Sequence, residues 1–274
     1  MAEAPRVLVA VPLYNHGATL PAVVDGVLAL GLEVLVVDDG STDGGADALA
    51  GRPVRVLRHG RNRGKGAAIL TAAAEARRLG MTHLVTLDAD GQHDPADLPR
   101  FLEALGREPG AIFVGKRDFE GTHAPRSSRF GRSFSNFWMR LQTGVTVGDV
   151  QSGFRAYPLA VLEHLKLRET AYSFEVEVLV KAAWAGVEVR DVPISVYYAP
   201  GRERVSHFRL FRDNARLTAL NTRLTMRSFL PWPHRKLVET KGPTVSLLHP
   251  LRSLRELLTE NASPGQLAAA GAVG

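Results

Sequence analysis

Short apolar runs rich in β-branched residues alternate with helical periodicity through residues 1–120. The runs Val7–Pro12, Glu33–Val37, Val54–Arg58, His83–Leu87 and Ala111–Val114 read as strands, and 18–30, 43–50, 64–79 and 95–106 read as helices. Such alternation predicts an α/β fold with a parallel sheet covered by helices. Ligands of such sheets bind beyond the carboxyl ends of the strands, so the loops PLYNHG, DDGSTDGG and DADGQHD are expected to meet at one edge. After about residue 125 the pattern changes. A basic, aromatic segment PRSSRFGRSFSNFWMR precedes GDVQSGFRAYP, a helix Ser173–Ala185, a strand Val187–Val196 and a helix Ser206–Phe229. Residues 1–236 are expected to form one domain. Residues 237–274 are expected to be a partly disordered tail with a short helix Pro250–Leu258, ending in a small-residue run that could lead into a truncated membrane segment.

Composition narrows the classes. The chain has 274 residues, no cysteine and a net charge of +6, which excludes disulfide frameworks and thiolate metal sites. No window reaches the ~18–20 apolar residues of a membrane span, and the apolar run at the N-terminus is too short for a signal peptide. Residues 202–236 hold nine Lys or Arg against Glu203 and Asp213, so the whole positive balance is local. That favours an anionic partner at one place over general nucleic-acid binding.

The chemistry concentrates after the strands. In DADGQHDPAD, Asp94 and Pro95 suit a helix cap and first turn, and Asp97 favours the helix's positive end. Asp88 and Asp90 remain. On an extended backbone they share a side and can hold a divalent cation with the Gln92 oxygen, or else form a solvated Asp-Gly turn. Asp38 and Asp39 can accept ribose or base hydrogens or belong to a turn, with Asp43 as a cap. The Asn62–Gly66 stretch NRGKG lacks the P-loop pattern. Its Lys65 and glycines can face phosphates or simply make a tight turn before a helix. Glu175 and Glu177 are base candidates, though an exposed helix face serves as well for at least one of them.

In order, PLYN, DDGSTD, NRGKG, DADGQ, VGKR and GDVQSGFRAY resemble the family 2 glycosyltransferases of GT-A fold, and more narrowly the dolichyl- or polyprenyl-phosphate sugar transferases. The resemblance spans about residues 6–230. It implies a nucleotide-sugar site formed by Pro12, Tyr14, Asn15 and Asp39, supported by Asp38, with Lys65, Asp88 and Gln151 also on the donor. Asp88, Asp90 and Gln92 would hold Mg²⁺ or Mn²⁺ on the diphosphate. His16 stands where relatives often carry Glu. Arg117, Arg132 and Ser135 would grip the acceptor phosphate, with Arg126 and Arg129 on the same helix, while Asp149, Gln151, Gly153 and Phe154 match the loop beside the transferred sugar. Arg204, Ser206 and His207 match a flexible acceptor-side loop.

The expected reaction is metal-dependent, inverting hexosyl transfer from GDP-mannose- or UDP-glucose-type donors to a polyprenyl phosphate. With a hydroxyl acceptor, Asp149 or Glu175 would be the base, and Arg117 would orient the acceptor. On the last long helix, Arg209, Arg212, Arg216, Arg223 and Arg227 fall in one sector. Phe208, Phe211, Ala215, Met226 and Phe229 flank that sector on one side, and Leu210, Leu217 and Leu224 more thinly on the other. One flank would pack on the domain while the arginines face lipid headgroups, with Trp232 at the boundary. That places the protein at the inner face of the cytoplasmic membrane. A non-catalytic membrane binder would share the helix but lack the metal site. A phosphatase with DxDG on its first strand, or a nucleotidyltransferase with a Gly-rich basic loop there, fits the order of motifs less well.

Overall fold

The structure, a computed structural model, describes residues 4–119, 126–198, 210–230 and 236–237. Seven strands form one sheet: β1 (Val7–Leu13), β2 (Glu33–Asp38), β3 (Arg55–Arg58), β4 (His83–Thr86), β5 (Ile112–Arg117), β6 (Arg155–Pro158) and β7 (Val189–Ile194), in the order β3-β2-β1-β4-β6-β5-β7. Strand alternation sorts the side chains to two faces. Leu8, Ala10, Leu35 and Val37 face one core, which packs on α2 (Lys65–Arg78), α4 (Arg126–Thr143), α5 (Leu159–His164), α6 (Phe174–Trp184) and α7 (Leu210–Phe229). Val9, Val11, Val34 and Val36 face a second core under α1 (Leu20–Leu28) and α3 (Leu98–Arg107).

The parallel sheet expected from the alternation forms across β3, β2, β1 and β4, and the later chain makes it a mixed one. β6 runs antiparallel to both β4 and β5. A four-residue strand carrying Arg and Pro gives no periodicity, so nothing in the sequence announced it. Its consequence is functional. Because Arg155 at the start of β6 pairs with Thr86 at the end of β4, the residues entering β6 lie beside those leaving β4. The Thr86 hydroxyl donates to the Gly153 carbonyl at 2.8 Å. The DAD and DVQSG loops therefore meet by register.

Smaller differences follow from capping. Segment 43–50 is a 3₁₀ turn (Gly45–Leu49), and 95–106 opens as a 3₁₀ turn (Pro95–Asp97) before α3. Asp94 caps it as expected, accepting from the Ala96 amide at 2.9 Å. Asp97 is buried and accepts from the Ser195 amide at 2.6 Å, tying the end of β7 to that turn. Leu237 donates its amide to the Ala185 carbonyl at 2.9 Å. No described helix is long and apolar enough to cross a membrane.

Candidate active site

The loops after β1 and β2 interlock. Asn15 takes a left-handed backbone (φ 53°) that turns its side chain to accept from the Thr42 amide at 2.8 Å, and its own amide donates to Ser41 Oγ at 3.0 Å. Gly17 and Gly45 approach so closely that a Cβ on either would strike the other's backbone. Asp38 accepts from the Ser41 amide at 2.8 Å. Asp39 is tied into the scaffold: it accepts from the amides of Arg63 (2.9 Å) and Gly64 (2.7 Å), and His59 Nδ1 lies 2.6 Å away, with its Nε2 3.0 Å from Thr71 Oγ1. The nucleoside roles expected of Asn15 and Asp39 therefore fall on side chains that pin one loop to another. Beside them lies an open pocket of about 300 Å³ lined by Asp38, Ser41, Thr42, Arg58, His59 and Gly60. Pro12 and Tyr14 sit half-buried at the same edge of the sheet.

Anchored by Asp39, the NRGKG turn delivers Lys65. Its ammonium lies 2.7 Å from Asp88 and 2.7 Å from Glu175, a clamp between the end of β4 and the start of α6. Burial alone would depress the Lys65 pKa, but the two carboxylates overcome it and raise it. For Asp88, burial pushes upward, and the Lys65 ammonium outweighs it, so the carboxyl stays below its usual range. A Cβ on Gly153 would collide with both the Asp88 carboxylate and the Lys65 ammonium, which explains a glycine there. Glu175 and Glu177 are both buried, so the expectation of an exposed face is corrected: α6 lies between the sheet and α4, and neither acid reaches solvent freely. Glu177 accepts from the amides of Arg168 and Glu169 (2.8 Å each) and pairs with Lys181 (2.7 Å) and Arg223 (3.3 Å).

Asp88 and Asp90 do not lie on a continuous strand. β4 ends at Thr86, and Ala89–Asp90 form a turn, so strand alternation does not align them. Asp88 faces Lys65. Asp90 accepts from the Gln92 amide at 3.0 Å through Oδ1, while its Oδ2 and the half-buried Gln92 side chain have no partner among the described residues. Among those residues no three His, Asp or Glu side chains converge. Of Asp88, Asp90 and Gln92, expected on a divalent cation, Asp88 is held by Lys65, while Asp90 and Gln92 keep oxygens that could hold one together with a ligand's phosphates, as Mg²⁺ and Mn²⁺ sites commonly do.

The loop 148–153 is held from four sides. Asn136 on α4 donates to the Gly148 carbonyl (2.8 Å) and accepts from the Val150 amide (3.0 Å), and Asp191 accepts from the Gly148 amide (2.9 Å). The fully buried Arg155 donates to the carbonyls of Ser152 (2.6 Å), Val150 (2.7 Å) and Glu175 (2.7 Å). Arg117 grips Asp149 bidentately at 2.6 and 2.9 Å. Gln151 donates to Ser135 Oγ at 3.0 Å, joining a residue expected on the donor to one expected on the acceptor.

Around Phe119 three guanidiniums gather, those of Arg117 (5.2 Å), Arg129 (5.9 Å) and Arg132 (4.3 Å from the ring centre). Arg132 also donates to the Arg117 carbonyl at 3.0 Å and Arg129 to the Phe119 carbonyl at 2.9 Å. Only Arg117 has a carboxylate partner among the described residues.

A family model, glycosyl transferase family 2, matches residues 8–166. The chain belongs to glycosyl transferase family 2. It is a glycosyltransferase of GT-A fold. Polyprenol monophosphomannose synthase of Mycolicibacterium smegmatis is 35% identical over 205 residues, covering 69% of this chain and 77% of that protein. Undecaprenyl-phosphate mannosyltransferase of Micrococcus luteus is 31% identical over 209 residues, covering 69% and 83%. Among solved structures, glucosyl-3-phosphoglycerate synthase from Mycobacterium tuberculosis, in complex with Mn²⁺, UDP and phosphoglyceric acid, matches with a TM-score of 0.61 at 20% identity. It covers 87% of this chain and 81% of that one. A mannosyltransferase from Pyrobaculum calidifontis in complex with GDP-Man and Mn²⁺ matches at 0.56 and 19%, covering 98% and 80%. At these identities the structural likeness speaks to the fold.

Within this family 2 scaffold, the sequence reading missed His93, Asn136, Arg155 and Asp191. Each acts through contacts with residues distant in sequence, which the motifs that hold His93 and Arg155 do not reveal. Arg204, Ser206, His207, Arg209, Trp232 and the tail helix lie outside the described residues, as do the side chains of Arg126, Phe211 and Arg212. The packing flank of α7 is the thinner one. Leu220 and Leu224 are buried, with Leu217 against them, while Met226 and Phe229 are 66% and 47% exposed. Arg223 turns inward to Glu169 (3.0 Å) and Glu177 rather than joining an open stripe.

Proposed function

We propose that this family 2 enzyme transfers a hexose from a nucleotide-diphosphate sugar to a polyprenyl-phosphate-type lipid. The supporting observation is the pairing of charges. Both candidate bases are committed, Asp149 to Arg117 and Glu175 to Lys65, whereas the guanidiniums of Arg129 and Arg132 have no carboxylate partner among the described residues. A hydroxyl acceptor needs a free base. A phosphate acceptor needs positive charge and no base, because its second ionisation lies near about pH 6. Arg132, and Arg117 from its pair with Asp149, would orient that phosphate by charge-assisted hydrogen bonds beside Ser135. The relatives named for polyprenol- and undecaprenyl-phosphate mannosyl transfer point the same way.

On the donor side Asp90 and Gln92 would hold a Mg²⁺ or Mn²⁺ ion. When bound, the ion supplies positive charge that stabilises the departing nucleoside diphosphate. Lys65 keeps Asp88 ionised and fixed, the loop at Gly153 stays clear of both, and Arg155 holds the loop by the Val150 and Ser152 carbonyls. The exposed Met226, Phe229 and Leu230 at the end of α7 would give the enzyme an apolar end with which to sit peripherally on the cytoplasmic face of a membrane.

The test is a panel of UDP- and GDP-sugars with Mg²⁺ or Mn²⁺ in detergent, offered polyprenyl phosphate or the free polyprenol. Glycolipid should form from the phosphate alone. Asp90→Ala should reduce it by roughly a hundredfold or more while the protein stays folded. Product from the alcohol, lost in Glu175→Gln or Asp149→Asn, would replace this reading with hydroxyl transfer.

A further inference from the structure

Glu175 is buried beside the donor corner, and transfer to a phosphate gives it no proton to take. Its side chain is 9% exposed, and Lys65 is the one cation paired with it among the described residues. Arg155, the other buried cation beside it, bonds the Glu175 carbonyl at 2.7 Å and not its carboxylate. Oε1 faces the Lys65 ammonium at 2.7 Å without an aligned hydrogen bond, so charge holds the contact. Asp88 shares the same ammonium at 2.7 Å and has no second ion pair among the described residues. Two carboxylates thus meet one ammonium, which leaves one negative charge in excess. Buried excess charge destabilises an empty protein, and a glutamine at 175 would remove it while still reaching Lys65.

The clamp is closed at one end and open at the other. The side chains of Asp88 and Lys65 are 23% and 15% exposed, so an incoming ion meets Asp88 first and Glu175 stays behind the ammonium. Asp88 leads into the turn that carries Asp90 and the half-buried Gln92 side chain. An ammonium paired with Asp88 alone would neutralise it and compete with a divalent ion for its oxygens. With Glu175 taking a share of Lys65, net negative charge persists at this corner. Its attraction for a divalent ion acts across a poorly screened interior.

We propose that Glu175 is a positioning residue of the cation corner. By sharing Lys65 it leaves Asp88 its negative charge, and it keeps hold of the ammonium when a divalent ion draws on Asp88. This rests on the reading that Asp90 and Gln92 take Mg²⁺ or Mn²⁺ with a donor's diphosphate. It accounts for an excess charge kept at a cost in the empty protein: the ion neutralises it in the loaded one.

The test sets metal affinity against stability. Full-length wild type, Glu175→Gln and Lys65→Met are melted by calorimetry. Each is titrated with Mn²⁺, alone and with GDP-mannose or UDP-glucose, and the free ion is read by electron paramagnetic resonance. Glu175→Gln keeps the shape of the clamp and the Lys65–Asp88 pair, so its Tm should stay close to that of wild type while its Kd for Mn²⁺ rises about tenfold. Lys65→Met removes the competing charge and should bind Mn²⁺ alone more tightly than wild type, although its Tm is lower. Affinity and stability then rank the variants in different orders, which a merely structural role would not produce. Equal Mn²⁺ affinity in Glu175→Gln and wild type would overturn the assignment, as would weaker binding of Mn²⁺ alone by Lys65→Met. A wild type that binds no Mn²⁺ with either donor would instead remove the reading beneath it.

Discussion

The two sides of the site, which we propose take donor and acceptor, handle charge in opposite ways. On the donor side Lys65 is shared by Asp88 and Glu175, and Asp39 takes two amides and a histidine. On the acceptor side Arg129 and Arg132 lean on Phe119 and on backbone carbonyls, with no acid to answer them among the described residues. Carboxylates and ammonium groups near a core must be paired or they destabilise it, so the donor side is scaffold first and site second. The half-exposed arginines can stay solvated, and their charge remains available to a phosphate. Losses on the donor side should therefore register in stability, and losses on the acceptor side in binding.

The hardest blow to that contrast is Lys65→Met. It leaves Asp88 and Glu175 facing one another without a counter-ion, and removing one partner of a buried pair costs about 3–5 kcal/mol. For a chain of this size the Tm should fall by on the order of 10 °C in calorimetry. Adding Glu175→Gln to that variant should recover part of the loss. A Lys65→Met protein as stable as wild type would mean that the clamp carries no structural weight.

Glu177 sharpens the same side with a smaller effect, because two of its bonds come from backbone amides that glutamine can still satisfy. Glu177→Gln should cost about 2 kcal/mol at neutral pH. Burial pushes the Glu177 carboxyl up, but Lys181 and the amides of Glu169 and Arg168 win and hold it below its ordinary 4.5. A depressed carboxyl stabilises the fold above its unfolded pKa and loses that contribution as the pH drops through the folded value. The gap between wild type and Glu177→Gln, measured by denaturant titration, should therefore be full at pH 6 and shrink below about pH 4.5. A gap that widened toward acid would reverse the assignment.

This contrast was only partly legible along the chain. Strands β1, β2, β4 and β5 and helices α2, α3 and α6 stood out because their apolar residues repeat at strand or helix spacing, and the ordered motifs pointed to the family that the comparison found. The pairing of charges was not legible. Lys65, Asp88 and Glu175 are far apart in sequence and meet where the start of α2 packs on the segment before α6, with the Ala67 amide donating to the Thr170 carbonyl at 3.0 Å and Gly66 close against Phe174. The hold of Asp39 on the loop at Arg63 and Gly64 was not legible either, because a strand-end carboxylate looks free until the loop that folds over it is known. α7 misled in the same way: its arginine sector was correct as geometry, yet Arg223 belongs to Glu169 and Glu177, which periodicity cannot show.

The smallest effects lie on the acceptor side, and they separate two arginines that the sequence treats alike. Arg132 is half-buried, stands 4.3 Å over Phe119 and is fixed by the Arg117 carbonyl, so little freedom is lost when it binds a phosphate. Arg129 is exposed and 5.9 Å from the same ring, where solvent and salt screen its charge. Arg132→Ala should raise the KM for a polyprenyl phosphate about tenfold, and Arg129→Ala only about twofold, with the Arg129 effect vanishing at high ionic strength. Both variants should melt within about 0.5 kcal/mol of wild type, since neither removes a carboxylate's partner. Arg132→Lys should fall between, keeping the charge but losing the planar stack on Phe119. If either alanine variant instead lost stability as the Lys65 variant does, with acceptor KM unchanged, these arginines would be scaffold as well, and the two sides of the site would not differ in kind.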